Sequence, residues 1–61
     1  MRFKIGTMIK LSFSYRRNGD YAGKLGLIVD LDKHGNPIVK VGNEIRAFHY
    51  TQVAGVISES R

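Results

Sequence analysis

The sequence predicts an all-β fold, a single small five-stranded barrel, and three observations point to it. Seven glycines punctuate the 61 residues. The runs between them alternate apolar with polar side chains, as half-buried strands do. No window holds an apolar stripe at helical spacing long enough to compete.

The first strand is expected over Met8–Phe13, with Ile9, Leu11 and Phe13 inward and Met8, Lys10 and Ser12 outward. A loop follows over Ser14–Lys24. The second strand is placed at Leu25–Leu31, the third at Pro37–Val41 and the fourth at Ile45–Phe48. A short 3-10 turn near His49–Gln52 leads into a last strand at Val53–Ile57, and Ser58–Arg61 is expected to fray.

The turns set the register. Asp32-Lys33-His34-Gly35 suits a type I turn continued as a three-residue hairpin loop with a glycine bulge, which pairs Asp32 with Asn36. Val29 then faces Val39 and Leu27 faces Val41. For the next hairpin two loops compete. A two-residue loop at Gly42-Asn43 sets Val41 opposite Glu44 and Val39 opposite Arg46, mixing charge with valine on one face. A three-residue loop, Gly42–Glu44, pairs Val41 with Ile45 and Val39 with Ala47, which leaves one face wholly apolar. The second register is preferred, because a one-residue slip turns a buried face to solvent. It places Lys40 directly across from Arg46, with Ile38 and Phe48 beside them. That group is either an open binding surface or a face that barrel closure covers while both charges reach water.

Composition bounds the function. A chain of 61 residues makes one domain, with the core expected over about residues 6–57, and it is near the lower limit for folding alone. There is no cysteine, so neither a disulfide nor a thiolate metal site can staple the fold. A 43% apolar and 25% charged composition is that of a globular protein. The basic start, Met1 to Gly6, is followed by no apolar signal segment. No run of apolar residues and glycine is longer than Leu25–Val29, far short of the ~20 residues that span a bilayer. A cytoplasmic protein without membrane contact is the expectation. The net charge of +5 favours polyanionic partners.

Gly23-Lys24-Leu25-Gly26-Leu27-Ile28-Val29-Asp30-Leu31, a turn, and then Ile38-Val39-Lys40-Val41 resemble the KOW motif of SH3-like barrels in ribosomal proteins and transcription elongation factors. Gly26 stands where that motif has its characteristic glycine. Gly6-Thr7-Met8-Ile9-Lys10-Leu11 resembles the opening strand of these barrels, with Thr7 where Asp is usual. Ala47–Val53 resembles their fourth strand and helical turn. The resemblance covers about Gly6–Ile57 and implies a small SH3-like (KOW-like) barrel. It also implies that Ile28 and Leu31 are buried, whereas the hairpin pairing turns Leu27, Val29 and Leu31 inward. A bulge near Val29–Asp30 would reconcile the two. The chain is similar, too, to small SH3-like proteins of large tailed bacteriophages, which would place it in a host cytoplasm or a virion.

Catalytic and metal-binding patterns are poor. Asp30-x-Asp32-x-His34-Gly35 opens like a calcium loop, but its twelfth position is Val41 and not a bidentate Glu. His34 and His49 lie at no zinc-like spacing. No serine or threonine sits in a nucleophile elbow. A non-enzymatic binding module without cofactor or metal is expected.

The richest stretch is Tyr15-Arg16-Arg17-Asn18-Gly19-Asp20-Tyr21-Ala22-Gly23-Lys24. It is either a mobile hairpin offered to a ligand or a loop whose tyrosines cover an open end of the core. Two partner classes follow. With nucleic acid, Arg16, Arg17, Lys24, Lys40 and Arg46 contact phosphates, and Tyr15, Tyr21, Phe48 or Tyr50 stack on bases. With a protein partner, Ile38, Phe48 and the tyrosines form the contact and the charges its rim.

Overall fold

The computed structural model describes residues 3–58, so that residues 59–61 of the segment expected to fray lie outside it. Five antiparallel strands form one sheet: β1 (Met8–Leu11), β2 (Leu25–Leu31), β3 (Pro37–Val41), β4 (Glu44–Ala47) and β5 (Val53–Ser58). Their spatial order is β4-β3-β2-β1-β5. β4 and β5 are the two edges and do not pair with each other, so the ladder is open. No helix among the described residues is long and apolar enough to cross a membrane.

The core is one cluster of Phe3, Ile9, Leu11, Ile28, Val39, Val41, Phe48 and Val53, with Tyr21 and Leu31 packed against it. Fully burying an aliphatic or Phe side chain of this kind contributes about 1.5–3 kcal/mol. Phe3 joins the core from before the first strand. Its position is fixed by the chain that follows, where Gly6 N donates to Ile28 O at 2.8 Å and Ile28 N to Thr7 O at 2.9 Å.

The β2–β3 hairpin turns as the sequence demands. Asp32 N donates to Asn36 O at 2.9 Å, and Asp32 Oδ1 accepts from both His34 N and Asn36 N at 2.8 Å. Gly35, at φ +81°, takes the left-handed position that closes such a loop. Donation from Asn36 and His34 holds the Asp32 carboxyl below its ordinary pKa. This carboxylate, the centre of the calcium-like string, serves the turn.

Beyond the turn the register departs from the straight pairing. Leu31 pairs with Pro37 and Asp30 with Ile38 as expected, but Ile28 then pairs with Val39 and Leu27 with Lys40. Val29 is the extra residue of a β-bulge. The bulge keeps Leu31 and Ile28 on the core side and turns Leu27 outward, correcting the expected pairs Val29–Val39 and Leu27–Val41. Gly26 gives the reason. It lies on the core side against Val39 and Val41, too close for any side chain, and strand alternation from Gly26 makes Ile28 the next inward residue.

The β3–β4 register is likewise the other of the two alternatives. Val41 pairs with Glu44, Lys40 with Ile45, Val39 with Arg46 and Ile38 with Ala47. The loop is therefore the two-residue Gly42-Asn43, with Gly42 at φ +60° in the position where a II′ turn requires glycine. Lys40 and Arg46 are not opposed, so the expected basic pair does not form. β4 is an edge whose four residues are all exposed, so it has no apolar face to protect. Its core-side charges, Glu44 and Arg46, lean out over the open edge. Phe48, which the preferred register turned outward, is 5% exposed and belongs to the core.

β1 ends two residues early. Ser12 N donates to Gln52 O at 2.8 Å, which takes the chain out of the ladder. Phe13, expected inside, is 81% exposed. The 3-10 turn before the last strand is present at Tyr50–Gln52, where His49 Nδ1 accepts from Thr51 N and Gln52 Oε1 accepts from His49 N.

Candidate functional site

The stretch between β1 and β2 is ordered and folded. Arg16–Tyr21 forms two 3-10 turns joined by a kink at Gly19 (φ +53°, ψ −125°). Asn18 pins it. Its side chain is 1% exposed, Nδ2 donates to Ser12 O at 2.7 Å and to Gln52 O at 3.0 Å, and Oδ1 accepts from Gln52 Nε2 at 2.8 Å. Of the two alternatives for this stretch, the mobile hairpin is not what is seen: Asn18 is an anchor and Gly19 a kink, and Tyr21 packs against the core as the other alternative has it. Arg16 and Arg17 precede the anchor and point into solvent, while Tyr15 is half-buried.

Tyr21 holds the other end. Its ring meets Phe48 edge-on, with centroids 5.8 Å apart and planes at 80°. Its hydroxyl donates to Glu44 Oε2 and accepts from Arg46 Nε at 3.1 Å, and Arg46 Nη2 lies 3.7 Å from Glu44 Oε1. The core-side charges of β4 thus meet a tyrosine hydroxyl at the rim, which is why the two-residue register costs no buried charge. The Tyr21 hydroxyl bond holds the Glu44 carboxyl below its ordinary pKa, with help from Arg46 and Lys24. Accepting that proton's bond, Glu44 in turn raises the Tyr21 hydroxyl.

A pH dependence follows. A depressed carboxyl stabilises the fold above its unfolded value, ordinarily 4.5, and loses that contribution as pH falls through the folded value. A raised phenol contributes below its ordinary 10.0 and loses it as pH climbs through the folded value. Tyr21→Phe should therefore lower the melting temperature at neutral pH, and the gap to wild type should narrow in both acid and alkali. No gap at any pH would assign the Tyr21 contribution to ring packing alone, and a gap constant across pH would mean that the hydroxyl acts independently of the Glu44 charge.

The nine residues singled out from the sequence separate into distinct places. Tyr15, Arg16 and Arg17 lie on the pinned segment. Tyr21 and Arg46 are tied to each other and to Glu44 at the β4 edge, with Phe48 beneath them. Lys24 is exposed just before β2. Lys40 stands on the outward face of the sheet beside Ile45 and Leu27. Tyr50 belongs to the last 3-10 turn, where it stacks at 4.4 Å on His49 and its N–H donates to Asn36 Oδ1 at 3.1 Å.

Phe13 completes the picture. Its ring lies over Gly23, where even a Cβ would stand 2.8 Å from Phe13 Cδ2. An exposed phenyl is thereby packed on Gly23, in the same stretch of chain as Arg16, Arg17 and Lys24. Strand alternation carried one period too far had turned it inward. The serines on either side of it, whose hydroxyls lie 3.3 Å apart, were the signal that the strand had ended. Arg46–Glu44 is the one ion pair among the described residues. The acids are largely engaged internally, Glu44 with Tyr21, Asp32 within its turn and Asp30 with Leu31 N.

Compared with known proteins, the chain matches no family model, no curated relative and no solved structure.

Proposed function

We propose that this chain is a non-enzymatic nucleic-acid-binding module of the SH3-like type, taking single-stranded RNA or DNA along residues 13–24. The strand order β4-β3-β2-β1-β5 and the 3-10 turn before the last strand support the SH3-like, KOW-like architecture. The observation that carries the binding reading is Phe13, an 81% exposed ring packed on Gly23 within a stretch that supplies Arg16, Arg17 and Lys24, none of them in an ion pair among the described residues. A flat ring in a stretch of exposed cations is what a flexible polyanion with unstacked bases requires. Stacking on an aromatic contributes ~1–3 kcal/mol per base and tolerates any sequence. Arginines and lysine neutralise phosphates and release counterions. Because Asn18 and Tyr21 tie the middle of the segment to the fold, little ordering entropy is lost on binding.

Fluorescence anisotropy with labelled single-stranded RNA and DNA tests this. Affinity should fall steeply with salt, and Arg16→Ala/Arg17→Ala should reduce the salt slope by about two, roughly one for each phosphate contact. Phe13→Ala should weaken binding about tenfold and leave the slope unchanged, the signature of lost stacking. No binding at low salt to either nucleic acid, or binding indifferent to both variants, would end this reading.

A further inference from the structure

We propose that the outward face of the sheet is a second, separate surface that docks an apolar protein segment carrying carboxylates. The register places its members side by side. Met8 pairs with Leu27, Leu27 with Lys40 and Lys40 with Ile45, giving one row across four strands. In the adjoining row Leu25 pairs with Lys10. Paired residues share a face, and their Cβ atoms lie about 4.5–5.5 Å apart. The patch is therefore continuous, with four aliphatic side chains and two lysines interleaved.

All six are exposed, Ile45 by 60% and Leu25 by 50%. An apolar group of this kind rimmed by polar ends marks an interaction surface more often than an accident of composition. The bulge at Val29 creates it, since a straight hairpin would have turned Leu27 inward.

The charges select the occupant. Among the described residues the two rows hold Lys10 and Lys40 and no carboxylate, the nearest on this face being Asp30, one row away opposite Ile38, and neither lysine forms an ion pair there. A second copy laid on this face would set lysines against lysines or against aliphatic chains, burying charge without compensation. Leu, Met and Ile offer bases neither a flat ring nor a hydrogen bond, so nucleic acid suits this face less well than residues 13–24. A strand or helix with apolar residues spaced between Asp or Glu satisfies both the aliphatic rows and the lysines. The inference stands apart from the nucleic-acid reading, because it uses none of Phe13, Arg16, Arg17 or Lys24.

The test uses isotope-labelled protein and two short synthetic peptides, one alternating leucine with glutamate and the other leucine with lysine. Amide shifts should move at Met8, Lys10, Leu25, Leu27, Lys40 and Ile45 with the acidic peptide and not with the basic one. Lys10→Glu/Lys40→Glu should reverse the preference, weakening the acidic peptide by about tenfold or more, since like charges then face each other. Lys10→Gln/Lys40→Gln should abolish discrimination between the peptides, and Phe13→Ala should leave it intact. Equal binding of both peptides, an unmoved face, self-association through these residues, or the same shifts on adding phosphatidylcholine–phosphatidylglycerol vesicles would each overturn the proposal.

Discussion

Gly26→Ala is expected to lower the melting temperature by about 10 °C, although it adds a single methyl group to a strand residue. At Gly26 a Cβ would stand 2.3 Å from Val39 Cγ1, 3.1 Å from Val41 Cγ2 and 3.3 Å from Lys40 O. Val39 is fully buried, so its side chain has nowhere to retreat. Overpacking of a closed core costs about 1–3 kcal/mol, and each kcal/mol moves the midpoint of a domain this small by about 4–8 °C. Val39→Ala removes the methyl in the way at a cost of about 2 kcal/mol for the cavity it leaves. The double variant should be more stable than the two losses added together, with a coupling of about 1–2 kcal/mol. Gly55 is the control. It also lies in a strand, but nothing stands within 4 Å of its Cβ position, and Gly55→Ala should be neutral or slightly stabilising. Strict additivity at 26 and 39, measured by thermal or urea melts, would show that the contact does not govern the strand crossing.

The same glycine shows how far the sequence could be read. β2 and β3 begin and end where glycine, proline and apolar runs place them, because both strands are internal and their alternation answers to a real core. The Asp32–Gly35 turn is local chemistry, and it formed as local chemistry dictates. Pairing beyond that turn depended on which side of the sheet has no room at residue 26, a contact between residues far apart in the chain. The resemblance to the KOW pattern placed Ile28 and Leu31 on the core side, and there they lie, with Ile28 fully buried and Leu31 packed on the cluster. At Gly42 the longer loop would be favoured only if β4 had a buried face to protect. An open edge imposes no such demand, and the shorter loop set the register.

The candidate site was legible as a region and not as a geometry. Charge and aromatic content singled out residues 15–24 as the unusual stretch, but composition cannot say which rings are exposed. Tyr21 and Phe48 pack on each other, whereas Phe13 stands in solvent. What makes the segment rigid is a hydrogen-bond triangle between residues 12, 18 and 52, and no local pattern foretells it.

That triangle yields the second large effect. Asn18→Asp should destabilise the protein by about 3 kcal/mol at neutral pH, a large part of the ~3–9 kcal/mol available to a chain of this length. Asn18 offers two N–H donors to two main-chain carbonyls and one acceptor to the Gln52 amide. Aspartate keeps the acceptor but turns the donor side into a second oxygen, so a buried carboxylate faces the oxygens of Ser12 and Gln52. Burial and these carbonyls must raise its pKa above the unfolded value near 3.9. A raised carboxyl loses least in acid, because the protonated form can donate to one of the two carbonyls, and loses most once pH exceeds its folded pKa. The stability gap between Asn18→Asp and wild type should therefore shrink as pH falls. Asn18→Ala, which titrates nothing, should cost about 2 kcal/mol with a gap that pH does not narrow in this way. Neither variant removes a cation, yet Asn18→Ala should weaken nucleic-acid binding while leaving its salt slope intact, because Arg16 and Arg17 would then sit on a segment that must be ordered anew at each encounter. Wild-type melting and affinity in Asn18→Ala would mean that the segment owes its shape to Tyr21 alone, and that the arginines need no fixed platform to do their work.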